Sequence, residues 1–143
     1  MQDILQDFPI QASPSAVFQA IATPEGLDKW WTLRSSGVPA IGEEYELWFG
    51  PGYDWRARVV ACAPDSAFAL EMTRSGADWA GSRVAFRLSP RDGATWVQFT
   101  HSGWPNANEH FRISAHCWAL YLRILRRWVE RGETVPYEER LSV

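Results

Sequence analysis

The hydrophobic period of the chain switches from two to 3.6 just after His101, and that switch constrains the fold more than any other feature. Between Glu43 and His101 the apolar residues fall on alternate positions: Tyr45, Leu47, Phe49; Trp55, Ala57, Val59; Phe68, Leu70, Met72; Val84, Phe86, Leu88; then Val97 and Phe99. Side chains alternate between faces along a strand, so this pattern predicts about five half-buried strands. The interruptions GPGYD, APDS, RSGAD and SPRDG are turn-like, which joins neighbouring strands into an antiparallel meander with one wet face. From about Asn106 to Arg131 the period is that of an amphipathic helix, with Gly132 as its stop. At 1.5 Å per residue such a helix is about 39 Å long, enough to cross the whole sheet.

Upstream, Ile4, Phe8 and Ile10 alternate with polar neighbours and predict one further strand, ending by Ser13. Ser13-Pro14 and Thr23-Pro24 are both helix starts, a capping side chain followed by proline at the first helical position. Val17, Phe18 and Ile21 give the first short helix an apolar face. In the second, EGLDKWW, Leu27 and one of Trp30 and Trp31 face inward while the other Trp points elsewhere. Arg56, Arg58, Arg83, Ala85 and Arg87 fall on the outer face of the sheet, together with Trp48 and Trp96. Arg56 or Arg58 could turn inward toward a carboxylate only through a bulge, which strand parity disfavours. With no repeat, linker or low-complexity tract, residues 1–143 read as one domain with a polar, peripheral tail, ETVPYEERLSV.

The long helix carries more apolar surface than one sheet face can cover. Phe111, Ala115, Trp118, Leu122, Leu125 and Val129 form one stripe, and Ile113, Cys117, Leu120, Tyr121, Ile124 and Trp128 lie beside it. Together they span about 220° of the helix. Arg112, His116, Arg123, Arg126, Arg127 and Glu130 share the remaining arc and face water. The surplus apolar arc needs a partner: the two small helices, a second subunit, or a ligand between helix and sheet. Nine Trp in 143 residues also require burial, and Trp48, Trp96 and Trp128, if exposed, would favour a homodimer.

A net charge of -3 and the lack of any Lys/Arg-rich run argue against nucleic acid as a partner. The acidic start, MQDILQDFPIQ, is unlike a signal peptide, and no apolar run approaches the ~18 residues of a membrane span, so neither export nor membrane insertion is expected and the setting is cytoplasmic. Cys62 and Cys117, without CxxC spacing, read as buried free thiols. His110 and His116 are six apart and point about 120° apart on the helix, so they cannot share a metal on one face. No GxSxG, Walker or GxGxxG stretch is present, and GPGYDW runs from strand to strand as a turn. Neither a metal nor another cofactor is expected.

The corner HSGWPNANEHF joins the last strand to the long helix. His101 shares parity with Val97 and Phe99 and so points inward, where it either pins the turn by hydrogen bonds or contacts a ligand as an acid or base. Trp31, Trp55, Trp104 and Trp118 fit an aromatic pocket and a core equally well. Glu71, Asp78 and Glu109 are the nearby acids, Glu109 being well placed simply to meet the positive helix end.

The element order, with "TPEGLDKWW" and "FTHSGWP" leading into the helix that carries Trp118, resembles the helix-grip fold of the START/Bet v superfamily, also called SRPBCC, and within it the branch similar to the activator of heat-shock-protein-90 ATPase. The resemblance covers nearly the whole chain. It departs from typical members at "YELWFGPGYDWRARVV", where a Gly-rich strand start and a shorter hairpin are usual. It implies an α+β fold in which a curved antiparallel sheet of about six strands wraps a long C-terminal helix, with two short helices after the first strand. It also implies a hydrophobic cavity, and Trp31, Phe49, Trp55, Leu70, Phe86, Phe99, His101, Trp104, Phe111, Trp118 and Leu122 are its candidate ligand-binding wall. The function so implied is the binding of a small hydrophobic or amphipathic molecule between sheet and helix. Alternatives are an enzyme of the polyketide cyclase/dehydratase type, with His101 as the candidate catalytic residue and Tyr45 or Tyr121 as donor, and a chaperone-associated cofactor.

Overall fold

Ser13 and Thr23 each stand before a proline, and each caps a helix. The computed structural model describes residues 2–143. Strand β1 (Gln2–Ile10) leads to α1 (Pro14–Ala22), whose first turn is closed by Ser13 Oγ accepting from the Ala16 amide at 3.2 Å. In α2 (Pro24–Leu27), Thr23 Oγ1 accepts from the Gly26 amide at 3.1 Å. Both caps satisfy amides that the first helical turn leaves without partners.

α2 is one turn long, shorter than the EGLDKWW reading. Beyond it the amides of Trp30, Trp31 and Thr32 all converge on the Leu27 carbonyl, at 3.2, 2.9 and 3.1 Å. This tight coil turns both Trp30 and Trp31 inward, correcting the expectation that one would point away. Their rings stack 6.1 Å apart at 22°, and Trp30 Nε1 donates to the Ala20 carbonyl at 2.9 Å. Gly26 permits the approach of α1 to α2: a Cβ there would lie 2.4 Å from the Gln19 carbonyl oxygen.

Seven strands form one antiparallel sheet in the order β1-β7-β6-β5-β4-β3-β2. The remaining six are β2 (Arg34–Ser36), β3 (Glu44–Trp48), β4 (Asp54–Ala63), β5 (Ala67–Arg74), β6 (Arg83–Arg91) and β7 (Ala94–Trp104). The strand beyond the expected six is β2, whose three residues are too few to show an alternation. The registers put the period-two residues on one face: Phe99 stands between Phe86 and Gln6, His101 between Val84 and Ile4, and Phe68 opposite Phe86. The sheet curves around α3 (Glu109–Arg131), giving the α+β helix-grip architecture. α3 starts three residues later than its periodicity suggests because Asn108, not an earlier residue, is the cap, its Oδ1 accepting from the Phe111 amide at 2.9 Å. Gly132 ends it in the left-handed region at φ 68°.

The outer face is held by interlocked charges. Arg56 meets Glu44 and Asp54 at 3.3 and 3.4 Å, and Glu71 lies between Arg58 and Arg83 at 3.3 and 3.1 Å. Although the β4–β5 pairing shifts register between Arg56 and Ala57, Arg56 stays outward. Trp48 and Trp96 do lie on this face, but they are half-buried, not exposed. Arg34 covers Trp48 and Arg91 covers Trp96, each 4.2 Å from the ring centre, and Lys29 sits 5.0 Å over Trp128. Each cation favours the ring face electrostatically and shields it from water. The dimer argument from bare tryptophans therefore falls away.

The tail is not peripheral. It forms a 3₁₀ helix (Tyr137–Ser142) in which Arg140 is buried and donates to the carbonyls of Asp28 at 2.7 Å, Thr32 at 3.1 Å and Val135 at 3.3 Å. Tyr137 Oη donates to the Phe49 carbonyl at 3.1 Å, and Val135 and Val143 pack on the core. A polar sequence hides this role because one guanidinium carries five donors and can close over carbonyls left by the α2 turn. Cys62 and Cys117 are free thiols, both half-buried. Among the described residues no helix is long and apolar enough to cross a membrane.

Candidate functional site

Strand parity delivers His101 to the centre of the inner face, where it has no exposure to solvent. Its Nδ1 accepts from Trp118 Nε1 at 3.0 Å, and its Nε2 lies 2.8 Å from Ser82 Oγ. An indole can only donate, so Nδ1 carries no hydrogen and the neutral ring's proton resides on Nε2. Ser82 Oγ in turn donates to the Trp79 carbonyl at 2.6 Å. The donors thus run in one direction, from Trp118 through His101 and Ser82 to Trp79. Burial, with a smaller contribution from the charge of His110, pushes the His101 pKa down to about 3. Both ring nitrogens are committed to this chain. In this geometry His101 ties β7, the β5–β6 connection and α3 together, and it offers no free nitrogen to a substrate.

Rings pack around this chain. Trp118 meets Trp31 at 5.3 Å and Phe99 at 4.6 Å, while Phe49 bridges Trp31 and Trp55 at 5.4 and 5.3 Å. Trp104 lies 5.1 Å from His101 and 5.4 Å from Phe111, and Phe86 lies 5.2 Å from Phe99. Trp31, Phe49, Trp55, Phe86, Phe99, His101, Trp104 and Trp118 are thus brought together ring against ring, and Leu70 belongs to the same core. Trp79, which sequence reasoning missed, completes the group at 4.4 Å from His101, 5.1 Å from Trp55 and 5.8 Å from Trp118. Its signal was the length of the β5–β6 connection, RSGADWAGS, which holds one large apolar residue among small and polar ones.

Open space lies along the sheet edge. A groove of about 570 Å³ runs between β1 and α3, lined by Ile4, Phe8, Phe111, Ala115 and Leu122, with Arg123 and Arg126 on its helix side and Asp3 and Asp7 on its strand side. Of the predicted ligand wall, Phe111 and Leu122 reach it, and Phe111 is where groove and aromatic cluster meet. Gln6 Nε2 donates to the Ala115 carbonyl at 3.3 Å and ties strand to helix. Arg126 is engaged by Glu130 at 3.1 Å, and Glu130 also accepts from the Gln11 amide at 2.7 Å. Among the described residues Arg123 has no carboxylate partner, and it is exposed.

The other candidates are dispersed. His110 pairs with Asp78 at 2.9 Å, His116 is exposed on α3, and no group of three metal-binding side chains occurs among the described residues. Tyr45 donates to the Ala22 carbonyl, and burial raises its pKa; burial also pushes Tyr121 up to about 12. Both phenols keep their protons at neutral pH.

A family model described as "Activator of Hsp90 ATPase homolog 1-like protein" matches residues 11–130. The chain belongs to this family. Solved structures agree with the AHSA1 assignment. The Aha1 dimer from Colwellia psychrerythraea is similar at 29% identity with a TM-score of 0.83, covering 93% of this chain and 99% of that one. Protein SSP2350 from Staphylococcus saprophyticus matches at 17% identity and TM-score 0.79, over 94% and 96% of the two chains. CalU16 from Micromonospora echinospora matches at 18% and 0.72, over 98% and 83%. These last two show the shared fold. No curated protein matches the chain.

Proposed function

We propose that this AHSA1-family protein binds a small amphipathic molecule, an apolar body with an acidic head, in the groove between β1 and α3. The observation that carries the reading is the groove's composition: an apolar floor of Ile4, Phe8, Phe111, Ala115 and Leu122 beside Arg123, a cation without a carboxylate partner. Its volume of about 570 Å³ falls within the roughly 300–1,000 Å³ of ordinary small-molecule sites. A carboxylate or phosphate fits a guanidinium by paired hydrogen bonds, while the body of the molecule covers the part of α3 that the sheet leaves open. Isothermal titration with a medium-chain fatty acid tests this: Arg123→Glu should weaken binding about tenfold or more, while Arg58→Glu, on β4 and four strands away from β1, should not. Equal affinities in the two variants would remove the head-group assignment.

Geometry disfavours the enzyme reading in its cyclase/dehydratase form, because His101 has both nitrogens engaged and Tyr45 already donates to Ala22. The chaperone-cofactor reading rests on the family description alone. A homodimer has separate support in the Colwellia chain, whose structure is that of a dimer. Sedimentation velocity on the intact protein checks it: a concentration-dependent shift toward twice the chain mass supports association, and a constant monomer removes it.

A further inference from the structure

One row across the outer face of the sheet carries no charge. Ala61, Ala69, Ala85, Thr100 and Leu5 stand side by side on β4, β5, β6, β7 and β1. Around its last three members lies a depression of about 490 Å³, bordered by Leu5, Asp7, Ala85, Arg87, Gln98 and Thr100. Leu5, at 68%, is the most exposed large apolar side chain among the described residues. A lone exposed leucine is ordinary, but this one stands at the end of an uncharged row beside an open depression.

The neighbouring row is Arg87, Gln98 and Asp7, on β6, β7 and β1. Arg87 and Asp7 are exposed, and among the described residues neither joins an ion pair, unlike Arg56, Arg58 and Arg83 on the same face. Gln98 stands between them, so two strand spacings of about 4.8 Å each separate their backbones within one chain.

We propose that this face receives a second copy of the chain, sheet against sheet, about a two-fold axis running along β7. The proposal rests on the homodimer reading and adds the contact surface to it. A two-fold along β7 exchanges the places of β1 and β6. Because Leu5, Thr100 and Ala85 share one row, Leu5 of each copy then lies over Ala85 of the other. Because Asp7, Gln98 and Arg87 share the next, each Asp7 lies over the other copy's Arg87. The projecting leucine thus meets a short side chain, and the two unpaired charges meet on both sides of the axis. A twisted sheet is saddle-shaped, and a half-turn about one of its strands reproduces the same saddle, so two copies nest at the roughly 10 Å spacing of packed sheets. Curvature around α3 makes the outer face convex, which confines the contact to β7 and its two neighbours and makes the dimer a weak one.

Charge reversal, read by sedimentation velocity on the intact protein, tests the surface. Asp7→Arg and Arg87→Asp should each weaken self-association about tenfold or more, since each sets like charges together on both sides of the axis. Mixed in equal amounts, the two variants should regain wild-type association, because every charge contact in the mixed pair then joins opposite signs. Both side chains are exposed, and unchanged circular dichroism verifies the fold. Arg123→Glu, in the groove, should leave association unchanged. Asp7 also borders the groove, so its variant is read by association alone. A wild-type protein that stays monomeric overturns this proposal together with the homodimer reading. A wild-type dimer unmoved by either reversal, or a mixture that associates no better than its components, overturns the surface and leaves the homodimer reading standing.

Discussion

His101 stays neutral because each of its nitrogens already has a partner of the right kind. Protonation would place an N–H against the Trp118 N–H and break the chain of donors. In the unfolded chain the same residue titrates near its ordinary value of about 6.5, whereas in the fold it titrates near 3. The folded-state pKa is depressed, so this stability is complete above pH 6.5 and is lost as pH falls from there toward 3. In that window the unfolded state binds about one more proton, a slope of roughly 1.4 kcal/mol per pH unit from this residue. Urea unfolding between pH 7 and 4.5 should show that slope reduced by about one proton in His101→Gln. An unchanged slope would mean that His101 takes up a proton in the folded protein. His101→Ala should cost about 3 kcal/mol or more at pH 7, since it orphans Trp118 Nε1 and opens a void. Strand parity made the inward direction of His101 legible in the sequence. Its partners were not, because Ser82 and Trp118 reach it only through folding, from 19 and 17 residues away.

Among the elements, those read most accurately are those whose periodicity is long. The meander and α3 declare themselves over many residues, whereas β2 is a three-residue edge strand and α2 a single turn followed by a coil in which three amides meet one carbonyl. Gly26 shows what local pattern conceals: it lies in the short helix for the sake of α1, not of α2. Gly26→Ala should destabilise the protein by about 3 kcal/mol, because its Cβ meets backbone that cannot yield; a urea midpoint within error of wild type would refute this contact. The tail is the element whose composition misleads most. Arg140→Leu should cost about 2 kcal/mol by leaving the Asp28 and Thr32 carbonyls without their donor. Hydrogen exchange should then accelerate in the tail and around Trp30–Thr32, and unchanged protection there would show that the latch carries no load.

For the molecule as a whole, the curved sheet and α3 build an aromatic interior, and the open edge of β1 leaves a groove beside it. The sequence foretold the surplus apolar arc on α3 but not how it is divided among the core, the tail and the groove. Strand parity says which side chains turn inward. It does not say whether they meet one another or enclose space. Trp31, Trp55, Trp104 and Trp118 read equally as core or pocket, and all four join the ring cluster around His101. The cations over Trp48, Trp96 and Trp128 were invisible for the same reason, since each comes from a different turn or strand. The central claim is that small amphipathic molecules bind between β1 and α3, and its most direct test is an amide-resolved NMR titration of the intact protein with a medium-chain fatty acid. We predict saturable shifts concentrated on Ile4–Phe8 and on the face of α3 from Phe111 to Arg126. Shifts elsewhere, or none at saturating ligand, would contradict the account.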